Sequence, residues 1–199
     1  MLPEATIDSV EIDPVVRDIA MEYFLYRESD RVRTVIEDGR VFLSRPGPAY
    51  DLIILDAFNS TGVPFHLTTR EFFETARRRL TPRGIFAANF VAKLMGNDAQ
   101  LFWATYRTIY LQFGQVYVSS ARIQNGRPLL SGNLILYATV SADPQDLTGL
   151  RQRATELADR WKLPNSTQYF DTLVHSPKAP EGTGELTDSY APVEALQNF

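Results

Sequence analysis

The sequence predicts an α/β fold with a mostly parallel sheet and a late antiparallel pair. Three observations predict it. Strand-like apolar runs alternate with helix-periodic segments over most of the 199 residues. Two strands then follow one another across a polar loop rich in Gly, Asn and Pro. Finally, "VEIDP" from Val10, "IEDG" from Ile36 and "LIILDAFNS" from Leu52 each read as a strand running into an acidic residue. Alternation of strand and helix implies parallel strands joined by crossovers, whereas adjacent strands imply an antiparallel pair.

Each element has a local reason. Ala5–Ile12 alternates and reads as a strand. Val15, Val16, Ile19, Ala20, Tyr23 and Phe24 share one helical face, and Pro14 suits a first helical turn. Arg31–Ile36 is a second strand and Gly39–Ser44 a short helix, ended by the turn "RPGPAY". Tyr50–Asp56 carries the continuous apolar run Leu52–Leu55 before its acid, as in a strand buried on both faces. After the loop "NSTGVP", Thr68–Leu80 is a helix with Phe72, Phe73, Ala76 and Leu80 inward, stopped by "TPRG". Gly84–Val91 is a strand. Asn97–Phe113 is a helix whose stripe is Phe102, Tyr106, Ile109 and Phe113. Gln115–Ser120 and Asn133–Val140 are the late strands, and Pro144–Trp161 is an amphipathic helix. Beyond Leu163 the pattern weakens. "SPKAPEGTGE" reads as a linker and "LTDSYAPVEAL" as a tail that docks back. The expected division is therefore an α/β domain over 1–163 and a C-terminal extension over 164–199.

Composition narrows the function classes. With 20 basic and 24 acidic residues the net charge is −4, which supplies no general attraction for nucleic acid or anionic lipid. There are no cysteines, which excludes disulfides and thiolate metal sites, and two isolated histidines do not make a metal centre. No apolar run reaches the roughly 20 residues of a membrane helix. No signal-peptide pattern opens the chain, and a cytoplasmic protein is expected.

The acids at the strand ends carry the functional argument. Open parallel sheets bind ligands outside the carboxyl ends of their strands. A carboxylate there accepts several hydrogen bonds, so Glu11 suits a ribose diol and Asp38 an exocyclic amine such as that of adenine. Asp56 would stand over the reacting centre. The competing reading is that Asp and Gly favour turns and helix starts. Three acids in register favour a nucleoside site.

The stretches "VEIDPVV", "RVRTVIEDGRVFL", "YDLIILDAFNSTGVP" and "LTTREFFETARRRLTPRGIF" together resemble the spermidine synthase family, the polyamine aminopropyltransferases. The resemblance runs from Ile7 to about Phe90 and is weaker from Ala99 to Val140. It implies the Rossmann-like fold of class I S-adenosylmethionine-dependent methyltransferases. It implies decarboxylated S-adenosylmethionine, or S-adenosylmethionine itself, as co-substrate, a small-molecule amine as acceptor, and a homodimer. In that family the acid matching Glu11, with Ile12 beside it, holds the ribose; the acid matching Asp38, before Gly39, contacts adenine. A D-x-x-D pair supplies the base, here Asp56, and a second Asp that helps hold the diamine. This chain has Asn59 at the second position, which keeps an acceptor and loses a charge.

The family's glycine-rich turn should lie directly before the strand of Val10. Nine residues precede Val10 and none is glycine. The N-terminal β-domain is likewise not matched. The first central strand of the sheet, between those ending at Glu11 and Asp56, is thus expected to be missing. Three consequences are open: the flanking strands pair directly, a partner chain supplies an edge, or the chain is an incomplete domain. The last ranks first. Aminopropyl transfer to an amine such as putrescine is the leading functional reading. A methyltransferase and a non-catalytic binding or assembly module are the alternatives.

The remaining singular residues read as structural. His66 and His175 are taken as solvated, Arg77–Arg79 as a helix-end basic run, and Trp103, Tyr106, Tyr110 and Trp161 as core stripes.

Overall fold

The structure, a computed structural model, describes residues 4–58, 62–96, 99–120, 131–141, 147–163 and 173–190, and the backbone of 123–124 and 127–128. The chain divides into two units, 1–47 and 48–199.

The smaller unit holds β1 (Ile7–Glu11), α1 (Pro14–Tyr23), β2 (Val32–Ile36) and α2 (Gly39–Ser44). Strands β1 and β2 pair in parallel from Ile7↔Val32 to Glu11↔Ile36 and form a two-stranded sheet of their own. Asp13 caps α1 by accepting from the Val15 N–H at 2.8 Å, and Pro14 follows with no N–H to satisfy. The apolar face expected on α1 is present but uncovered: Val15, Val16, Ile19 and Tyr23 are all exposed. Leu43 is the buried apolar side chain of this unit among the described residues.

The larger unit is built on β3 (Tyr50–Leu55), β4 (Leu80–Lys93), β5 (Val116–Ser120), β8 (Ser131–Thr139) and β9 (Val174–His175), in the order β3-β4-β8-β5-β9. A two-residue hairpin, β6 (Ile123–Gln124) with β7 (Arg127–Pro128), lies between β5 and β8 in the chain. The β3–β4 pair is parallel; β4–β8, β8–β5 and β5–β9 are antiparallel. Helices α3 (Arg70–Arg78), α4 (Gln100–Phe113) and α5 (Leu147–Trp161) complete it, with a 3₁₀ turn at Phe65–Leu67 that the loop reading had not anticipated.

Strand β4 fixes the core. Its even residues Phe86, Ala88 and Phe90 are buried. The Phe86 ring meets Phe72 and Phe73 of α3 edge-on, with centroids 6.4 and 5.6 Å away, and stacks on Phe113 of α4 at 5.8 Å. Such aromatic pairs contribute about 0.5–1.5 kcal/mol each beyond burial. The expected stripe of α4 is inward, with Phe102, Tyr106, Ile109 and Phe113 all buried. Gly114 ends that helix in the left-handed region (φ +79°), where a side chain would be strained. Helix α5 forms as an amphipathic helix, with Leu150, Ala154 and Leu157 half-buried and Ala158 buried, whereas Leu147 and Trp161 at its ends are exposed.

Strand β4 also starts earlier than Gly84. Tyr50 pairs with Leu80 and Leu52 with Ile85, so the register shift absorbs Thr81, Pro82 and Arg83 as a bulge. Pro is tolerated there because a bulge residue owes no N–H to the ladder.

The described residues 186–190 lie against α3 and α4. Leu186 is 2% exposed. Its N–H donates to Thr108 Oγ1 at 2.9 Å, and its carbonyl accepts from the Arg70 N–H at 2.8 Å. Thr69, the cap of α3, donates to Asp188 at 2.8 Å, and the Asp188 N–H donates to Glu71 at 3.0 Å. His175, read as solvated, is exposed; it lies in β9 opposite Tyr117 and stacks on its ring at 4.6 Å.

Burial pushes the Glu71 carboxyl up, but backbone amides including that of Asp188, together with Arg70, outweigh it and hold the group below the ordinary carboxylate range. A depressed folded value contributes stability above the unfolded pKa and loses it as pH falls through the folded one. Tail docking should therefore weaken on acidification below about pH 4, the ordinary Glu range. Proteolysis within 173–190 as a function of pH reads this, and Glu71→Gln should flatten the profile. Leu186→Ala should destabilise the larger unit by about 2–5 kcal/mol in chemical denaturation.

Candidate functional site

In the smaller unit, the parallel register brings the ends of β1 and β2 side by side. The Glu37 N–H donates to the Glu11 carbonyl at 3.0 Å. Glu11 and Asp38 thus stand at the same end of the two-stranded sheet. Glu11 Oε1 accepts from the Asp13 N–H at 2.9 Å, a local turn that steadies the side chain. Ile12 follows it and is 67% exposed.

Asp38 is the N-cap of α2. Its Oδ1 accepts from the N–H groups of Arg40 and Val41 at 2.9 and 3.0 Å. The helix-start reading of this acid therefore holds as structure, and any ligand contact must be made by a carboxylate already in use. Gly39 is the first residue of α2, and a Cβ built on it meets no atom within 4 Å. Among the described residues, nothing near it requires the glycine. Open space over a helix start is what a ligand lying against the backbone would need.

Glu37 is a residue that the sequence reading passed over. It forms an ion pair with Arg45, and its Oε2 is buried with no hydrogen-bond partner among the described residues. The signal was the doubled acid "ED" at the strand end.

In the larger unit, Asp56 directly follows β3 and is exposed. Its Oδ1 accepts from Asn89 Nδ2 at 2.9 Å, and Asn89 Oδ1 accepts from Asn133 Nδ2 at 3.1 Å. Neither asparagine was singled out from sequence; the clue was a lone amide inside the apolar run "GIFAANFVA". Asn59 lies outside the described residues. His66 sits in the 3₁₀ turn, edge-on to the Phe65 ring at 6.0 Å. Among the described residues no cluster of three His, Cys, Asp or Glu could hold a metal, and no helix is long and apolar enough to cross a membrane.

The family model for the spermine/spermidine synthase domain matches residues 3–142. The chain belongs to the spermine/spermidine synthase family. A family member, the polyamine aminopropyltransferase of Vibrio vulnificus (strain CMCP6), is 32% identical over 99% of this chain and 64% of its own length. This chain thus spans less than two thirds of that relative. A probable spermidine synthase from Corynebacterium glutamicum matches structurally with a TM-score of 0.67 at 21% identity, covering 96% of this chain and 66% of the other. Human methyltransferase-like protein 13, solved in complex with SAH, matches with a TM-score of 0.68 at 25% identity, over 82% of this chain and 74% of the other. The fold is therefore the Rossmann-like one of S-adenosylmethionine-dependent methyltransferases, as the resemblance implied.

The cap and the open helix start make separable predictions. Asp38→Ala should cost about 1 kcal/mol by losing the cap, whereas Asp38→Ser should stay within a few tenths. Gly39→Ala should stabilise the chain by about 0.4–1 kcal/mol, because the native backbone there suits alanine. Thermal denaturation of the three variants checks both.

Proposed function

We propose that this chain carries the catalytic half of an aminopropyltransferase site, moving the aminopropyl group of decarboxylated S-adenosylmethionine to a small amine such as putrescine. The observation that carries the reading is Asp56: an exposed carboxylate at the carboxyl end of β3, hydrogen-bonded by a neutral amide. Family membership and the match to a polyamine aminopropyltransferase support the same chemistry.

In this reading Glu11 holds the ribose hydroxyls of the donor. Asp38 accepts from the adenine amine, and Ile12 and Gly39 lie against the nucleoside. The acceptor arrives as an ammonium. Asp56 takes one of its protons, and the freed lone pair attacks the aminopropyl carbon. The new C–N bond forms as the C–S bond breaks, its electron pair stays on sulfur, and methylthioadenosine leaves. The product is a secondary ammonium, and the proton on Asp56 passes to water. The sulfonium makes the carbon electrophilic, so the protein's task is to align the reactants and accept the proton. Asn59 in place of a second Asp removes one counter-ion for a diamine, so an acceptor with a single cationic end suits this site better than the family pattern would.

A methyltransferase is the second reading. It is favoured by the match to methyltransferase-like protein 13, whose structure holds SAH. The two readings differ in the donor consumed.

Assays with putrescine and monoamines should show turnover of decarboxylated S-adenosylmethionine and none of S-adenosylmethionine; the reverse preference would establish the methyltransferase reading. Asp56→Asn should abolish transfer with donor binding retained. Glu11→Gln should instead raise the donor KM, by the equivalent of about 1.5–3 kcal/mol for a lost charge-assisted hydrogen bond.

A further inference from the structure

We propose that Asn89 and Asn133 are positioning residues for Asp56, forming a polar file across three adjacent strands that aims the carboxylate. The inference rests on the reading of Asp56 as the base. Strand register supplies the first argument. Leu52 pairs with Ile85 and Ile54 with Ala87, so Asp56 falls on the same sheet face as Asn89, at the next step along the ladder. On the other side, Asn89 is opposite Ile135 and Val91 opposite Asn133. Asn133 is therefore the diagonal neighbour of Asn89 on that face, within reach of a long side chain. Asp56, Asn89 and Asn133 come from β3, β4 and β8 and are brought into one line by pairing alone.

The second argument is the polarity of the line. An asparagine amide has a donor end and an acceptor end, and its orientation is decided by its partners. Asn133 donates to Asn89 Oδ1, which fixes the oxygen of Asn89 towards β8 and its nitrogen towards Asp56. Turned over, Asn89 would set a carbonyl oxygen against a carboxylate. Among the described residues, Asn89 supplies the hydrogen bond that Asp56 receives. That bond engages Oδ1, and the amine's proton is to be taken at Oδ2. The neighbours on this face are Ile54, Ala87, Val91 and Ile135. Two amides set among them are otherwise unexplained in a strand pair whose opposite face is closely packed.

The test exploits that polarity. Asn89→Ala should lower kcat for aminopropyl transfer about 10–100-fold, the scale of a misaligned reacting group, with the donor KM unchanged. Asn133→Ala should lower kcat less. Asn133→Asp should lower it more than Asn133→Ala, because a carboxylate at 133 attracts the Asn89 NH2 and turns its oxygen onto Asp56. Equal kcat for the two Asn133 variants, or losses that merely follow their melting temperatures, would overturn the proposal. A readout independent of turnover uses the intact 199-residue chain: the side-chain NH2 resonances of Asn89 should shift in Asp56→Ala. Resonances that do not move would overturn the file whatever the activity. Full turnover in Asp56→Asn, with the Asn89 shift still observed, would sink the base assignment alone and leave the hydrogen-bonded file in place.

Discussion

The inward seating of Phe86 is the contact on which the larger unit depends. It is fully buried and touches Phe72, Phe73 and Phe113, so it joins β4 to both α3 and α4. Because side chains alternate along a strand, anchoring Phe86, Ala88 and Phe90 inward commits Ile85, Ala87 and Asn89 to the other face. A slip of one residue would bury Asn89 among phenylalanines and expose Phe86. The same alternation, carried through the pairing with β3, sets Asp56 beside Asn89. Packing on one face of the sheet thus decides which side chains line the other.

That other face is unusually apolar for an exposed one. Leu52, Ile54, Ile85, Val91 and Tyr137 all lie on it and are exposed. Strand β3 pairs with β4 alone, and β1 pairs with β2 alone, among the described residues. The uncovered face of α1 belongs to the same pattern: amphipathic elements are formed, with apolar surface still exposed.

Much of this was legible in the sequence. Strands β1 to β3 were bounded within about two residues by apolar runs and their closing acids, and α3 and α4 by their aromatic stripes. The less legible parts have physical causes. The early start of β4 was hidden because Pro82 and Gly84 signal a stop locally, while a bulge permits them globally. The two-residue β9 carries no periodicity of its own and exists because Val174 and His175 meet β5. The Asn133–Asn89–Asp56 file joins positions that lie far apart in the chain, and pairing creates it. Asp38 shows the converse difficulty. Its cap role and a ligand role predict the same residue at the same place, and sequence alone does not separate them.

The central claim is that Glu11 and Asp38, at the strand ends of the smaller unit, form a nucleoside site, and calorimetric titration of this chain with methylthioadenosine tests it most directly. The account predicts saturable binding that Asp38→Ser weakens, since serine keeps the cap of α2 and withdraws the carboxylate from the adenine. A folded chain that binds no methylthioadenosine, or binds it equally well with serine at position 38, would contradict it.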